Sequence, residues 1–132
     1  MAEHPNSLLV HHCLQAVSAG DRETLRALWA ENITWNVKGD SPWRGEIKGA
    51  DDIFEYLGEL GELGPLGLHT EIQDVLVSGQ RAALLCHSTA SRGDKSLEAG
   101  FLVIARIASR RIQSITSIPI DARRVARFWK DD

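Results

Sequence analysis

The chain has 132 residues, of which 43% are hydrophobic and 25% charged, with a formal net charge of −3 at neutral pH. That length holds one domain, with no room for a cofactor domain beside a substrate domain, and at this size about two-thirds of the unfolded surface can be buried without a disulfide or metal staple. The charge balance excludes non-specific attraction to nucleic acid or to an anionic membrane.

Positions 8–19 read as a helix, because Leu9, Cys13, Ala16 and Val17 recur at three- and four-residue steps. Asn6 or Ser7 can cap its start, and Gly20 can end it in a left-handed conformation. Asp21 caps a second helix carrying Leu25, Leu28 and Trp29 on one face. The β-branched and aromatic run 33–37 predicts a strand, and 38–49, with Gly39, Pro42, Gly45 and Gly49, predicts a loop. Asp51 or Asp52 opens a third helix with Ile53, Phe54, Leu57 and Leu60, which frays into the glycine-rich stretch 58–67, a flexible lip in this reading. Strands at 69–77, 82–91, 97–107 and 111–120, separated by short polar turns, predict an antiparallel meander. The tail 121–132 is amphipathic through Val125, Phe128 and Trp129.

Helices first and strands afterwards mean α+β. The expected architecture is a cone-shaped, curved antiparallel sheet of about five strands wrapped around three N-terminal helices, enclosing an apolar cavity, as one domain over 1–132. Cys13 and Cys86 are far apart, each in an apolar stretch, which suggests buried thiols in a reducing compartment. No basic leader followed by an apolar segment opens the sequence, and no apolar run is long enough to span a bilayer, so a cytoplasmic location is expected.

The run Ala19–Gly20–Asp21, then Ile33–Thr34–Trp35, then Gly39, Pro42, Gly45 and Gly49, then Asp52–Ile53, resembles the SnoaL-like branch of the nuclear transport factor 2-like superfamily. Asp74–Val75–Leu76, Arg111–Ile112, Pro119 with Asp121, and the ending Phe128–Trp129 extend the resemblance over nearly the whole chain. It implies a cone-shaped α+β barrel, related to ketosteroid isomerases, with a deep apolar cavity and a homodimer through the sheet. It does not imply one reaction, because fold does not fix function. The ketosteroid isomerase roles fall on residues that cannot fill them: the first-strand base on Val37, the helix-one tyrosine on Cys13 and the oxyanion acid near Leu102. An epoxide hydrolase site finds Arg106 and at best one acid, Asp121, of the pair it needs. In a polyketide-cyclase-type site Asp121 is the residue able to act as acid or base.

Asp121 follows Ile118–Pro119–Ile120 and is a candidate proton carrier or, equally compatible, the cap of the C-terminal helix. His87 shares a strand face with Thr89 and Ser91; if that face points inward it is a partner base, and otherwise a sheet histidine at a dimer face. Trp35, Val37, Cys13, Phe54, Leu57, Phe101, Ser117 and Trp129 are the candidate ligand-binding set, with Trp35 stacking on a flat ligand and Ser117 as a polar anchor. Arg123, Arg124, Arg127 and Lys130 read as a solvated helix face. His11 and His12 are adjacent and diverge by about 100°, and no metal-ligand spacing occurs, so no metal and no cofactor are expected. Two functions follow: binding of a small hydrophobic, cyclic molecule with cofactor-free acid/base chemistry, or a non-catalytic carrier or dimerisation module.

Overall fold

Local signals set where each element begins and ends. The computed structural model describes residues 5–60, 69–92 and 94–130, with the side chain of Arg92 excepted. Helix α1 (Pro5–Ala19) starts just before the expected cap, and Asn6 instead donates its side-chain amide to the Gly79 carbonyl at 3.1 Å. Gly20, at φ 68°, stops α1 in the left-handed region that glycine tolerates. Asp21 then caps α2 (Arg22–Leu28), accepting from the Thr24 backbone N–H at 3.1 Å and the Thr24 hydroxyl at 2.6 Å. These two bonds hold the Asp21 carboxyl below the usual carboxylate range.

Trp29 lies not on α2, as its spacing suggests, but at the start of strand β1 (Trp29–Val37). The segment expected to be a loop contains a short edge strand, β2 (Gly45–Lys48), antiparallel to β1 with Trp35 opposite Ile47. Helix α3 (Ala50–Leu60) buries Ile53, Phe54, Tyr56, Leu57 and Leu60. Gly58 belongs to this helix; the rest of the expected lip lies outside the described residues, apart from Glu59 and Leu60. Strands β3 (His69–Ser78), β4 (Arg81–Arg92), β5 (Lys95–Ala108) and β6 (Arg111–Pro119) form the expected meander, and α4 (Ala122–Trp129) closes the described chain.

Among the described residues the sheet has six strands rather than five, in the order β2-β1-β6-β5-β4-β3, and four helices accompany it. It is mixed, not wholly antiparallel, because β1 runs parallel to β6 with Trp35 beside Ile115 and Val37 beside Ser117. The chain reaches that pairing only by returning through the whole meander. Register shifts at Ile72/Asp74 and at Arg106/Ile107 mark bulges, which bend the strands and curve the sheet without closing it.

Alternation sorts the strands into two faces. On β4, Ala82, Leu84, Cys86 and Ser88 are buried against the helices, while Leu85 and Thr89 are exposed. The main core gathers this inner face with α1, α2 and α3, and its largest fully buried side chain is Trp29. Trp29 stacks on Phe54 with ring centroids 5.4 Å apart and donates its indole N–H to Cys13 Sγ at 3.4 Å. A smaller cluster of Leu97, Ala99, Val125 and Phe128 holds α4 onto β5.

Candidate functional site

The inner face of the sheet ends in an aromatic chain. Trp35 on β1 meets Tyr56 on α3 edge to face at 5.8 Å, and Tyr56 meets Trp43 of the β1–β2 connection at the same distance. Trp43 in turn meets Trp129 at 4.9 Å, and Trp129 meets Phe128 at 4.8 Å. Edge-to-face geometry places the positive rim of one ring against the negative face of the next, so the chain is self-supporting. Trp43 is pinned further by its indole N–H, which donates to Glu59 Oε2 at 2.5 Å.

Beneath these rings lies a recess of about 50 Å³, bounded by Val37, Tyr56, Phe101, Ser117, Trp43 and Trp129. Val37 and Ser117 are register neighbours on the parallel pair, which places a hydroxyl beside an isopropyl group on the recess floor. Trp35 donates its indole N–H to Ser117 Oγ at 3.2 Å, which holds the serine oxygen and leaves its proton able to point elsewhere. The described residues at this recess do not show the deep cavity expected from the sequence. A volume of this size holds about one or two waters, against the roughly 300–1,000 Å³ of ordinary small-molecule sites.

Of the expected ligand-binding set, Val37, Phe101, Ser117 and Trp129 meet at this recess, with Trp35 immediately behind Ser117. Cys13, Phe54 and Leu57 belong to the main core and do not border this recess. Burial pushes the Cys13 thiol up to about 11, so it is a packing group and an indole acceptor rather than a nucleophile. Tyr56 and Trp43 complete the recess and lie outside the expected ligand-binding set.

Asp121 is the N-cap of α4, accepting from the Arg124 backbone N–H at 3.1 Å, with Arg124 Nε 3.7 Å from its other oxygen. It stands one helical turn from Val125, which borders the recess, but does not itself border it. His87 is on the opposite face of the sheet from Cys86 and Ser88, across from Glu71, with Nε2 3.5 Å from Glu98 Oε1. The structure thus does not bring His87 and Asp121 together at the recess. The carboxylate that does border it is Asp40, beside Ser41 in the β1–β2 connection. Among the described residues, no cluster of three histidine, cysteine or acidic side chains could hold a metal, and no helix is long and apolar enough to cross a membrane.

Residues 10–115 match the family model described as the SnoaL-like domain. The chain belongs to the SnoaL-like family. Bal32a, from a soil-derived mobile gene cassette, is 28% identical over 96% of this chain and 97% of its own, with a TM-score of 0.87. A nuclear transport factor 2-like protein from Burkholderia xenovorans LB400 superposes with a TM-score of 0.81 at 19% identity, covering 98% of this chain and 99% of its own. TerC, co-crystallised with polyporic acid, superposes with a TM-score of 0.82 at 12% identity, covering 97% of this SnoaL-like chain and all of its own (100%). No curated protein matches the sequence.

Proposed function

We propose that this SnoaL-like protein binds a small hydrophobic, cyclic molecule at the mouth of its cone, without a cofactor. The observation that carries the reading is the recess itself: aromatic rings surround the Ser117 hydroxyl, whose oxygen is held by the Trp35 indole N–H. Such a site offers a flat apolar ring both contact area and a polar anchor at Ser117. Because the recess holds about 50 Å³, the ligand has to displace part of the aromatic chain. The element to move is α4, held by a small cluster separate from the main core. That a protein of this fold has been co-crystallised with polyporic acid agrees with ligand binding.

Native mass spectrometry of gently purified protein, with tryptophan fluorescence during titration with 1-naphthol, tests the reading. Ligand mass on the folded protein or saturable quenching is expected, and Ser117→Leu, which fills the recess, should weaken 1-naphthol binding at least tenfold. No co-purifying mass and no quenching would overturn it.

A second reading, cofactor-free acid/base turnover of the bound ring, draws on the place of Asp121 at the start of α4. Asn caps helices as well as Asp does, so Asp121→Asn removes the proton carrier and keeps the cap. Unchanged turnover in that variant would take Asp121 out of the chemistry.

The outer face of the sheet is the proposed homodimer surface. It exposes Leu76 (67%) and Leu85 (38%), with the partly buried Leu102, Ile104 and Ile118 beside them and Ile120 exposed just past the end of β6. His87 lies on this face, as a sheet histidine beside Glu98. Light scattering after size exclusion should give twice the chain mass, and Leu85→Glu with Leu102→Glu should give the monomer; a monomeric parent protein would remove the dimer. The buried positions of Cys13 and Cys86 accord with a cytoplasmic location.

A further inference from the structure

The geometry points to an anion-binding groove beside the recess, one that selects aromatic carboxylates as the ligands of this protein; the inference rests on the ligand-binding reading above and names the ligand's charge. The groove runs between α4 and the β1–β2 connection and has a volume of about 760 Å³. Its α4 wall carries Arg123 and Arg127, four residues apart on one helix face, with Lys130 just past the helix end. Ala126 lies between them and keeps that wall low. Trp129, Asp40 and Ser41 border both the groove and the recess, so the two are continuous.

Arg123 and Arg127 contrast with their neighbour. Arg124 is engaged by Asp121 and by the Glu98 carbonyl at 3.1 Å, whereas Arg123 and Arg127 make no side-chain ion pair among the described residues. Two guanidinium groups four residues apart can grip one carboxylate through parallel N–H bonds, a geometry that lysine does not offer. The ligand's ring would then lie along Trp129 toward the recess. Asp40 on the facing wall opposes a spread of negative charge, and the net charge of −3 opposes a polyanion, so the groove suits a single compact anion rather than a nucleic acid. The face that the sequence presents as simply solvated is thus the wall of a groove.

The test is calorimetry at low and high salt with 1-naphthoate and its neutral isostere 1-naphthamide. The expected result is that the folded protein binds 1-naphthoate at least tenfold more tightly than 1-naphthamide, with the preference shrinking as salt rises. Arg123→Gln with Arg127→Gln should erase the preference while leaving the melting temperature unchanged, since both side chains are exposed. Equal affinity for the two probes, or a preference that survives the double substitution, overturns the groove. If 1-naphthamide still binds and Ser117→Leu abolishes that binding, the groove fails while the recess reading stands. If neither probe binds, both readings fall.

Discussion

Trp29→Ala should cost about 3–5 kcal/mol of folding stability, the range of buried large-aromatic truncations. The reason is where Trp29 sits. It is 1% exposed at the start of β1, stacked on Phe54 of α3 and hydrogen-bonded to Cys13 of α1, so one side chain ties two helices to the sheet. Removing it leaves a cavity, an indole-sized gap under Phe54, and a thiol without its donor. Arg22 and Arg26 also lie over the Phe54 ring, at 5.3 and 5.0 Å from its centroid. Their cation–π contact weakens too if the ring tilts into the gap. Urea unfolding of the parent, Trp29→Ala, Cys13→Ala and the double variant measures this. The double variant should be less destabilised than the sum of the singles, because the indole–thiol contact is lost once. A Trp29→Ala loss below about 1 kcal/mol would show that the core collapses to fill the space.

Gly39→Ala should damage both the fold and the site. Gly39 has φ 91°, and a Cβ there would stand 2.8 Å from Cγ of Pro119, a rigid ring atom at the end of β6. Backbone strain costs about 1–3 kcal/mol, and overpacking against the proline adds a cost of the same order. The site suffers because Gly39 begins the connection that carries Asp40, Ser41 and Trp43. That connection is anchored on its strand side by the Lys38 N–H donating to the Ser117 carbonyl at 3.0 Å. A shifted Trp43 breaks the edge-to-face chain, so quenching by 1-naphthol should change along with the melting temperature. Replacing Pro119 by Ala in the same protein should restore part of the stability by removing the clash and leave the φ penalty in place. An unchanged melting temperature in Gly39→Ala would show that the loop finds another path at no cost.

The elements with strong periodicity were legible: the helices of α1 and α3, the meander from β3 to β6, and the cap signals at Gly20, Asp21 and Asp121. Strand β2 was hidden because Gly45, Glu46 and Lys48 carry no strand signature, and its pairing with β1 is decided by tertiary contact rather than by its own residues. The parallel β1–β6 pairing was hidden for a related reason, since nothing local in either strand names a partner more than seventy residues away. The facing of β4 was open because Ala82 to Cys86 is apolar on both faces, so alternation supplied two sets without saying which was inside. That ambiguity is what left His87 undecided. At the recess, Trp35, Val37 and Ser117 followed from strand alternation. Trp43 did not, because it reaches the mouth from a glycine- and proline-rich connection where no period applies, and Tyr56 flanks the helix face that its neighbours define.

The position of β6 has a consequence for how the protein is made. This strand lies between β1 and β5, yet it is synthesised last but for α4. Until it emerges, a nascent chain carries β1 with one open edge and β5 with another, each rich in isoleucine, valine and aromatic side chains. The two halves of the sheet have no hydrogen bonds to join them in that interval. The recess floor is incomplete too, because Ser117 is on the missing strand. The two central pairings of the sheet therefore wait on β6, and until it joins them the open edges of β1 and β5 are where the chain can mispair.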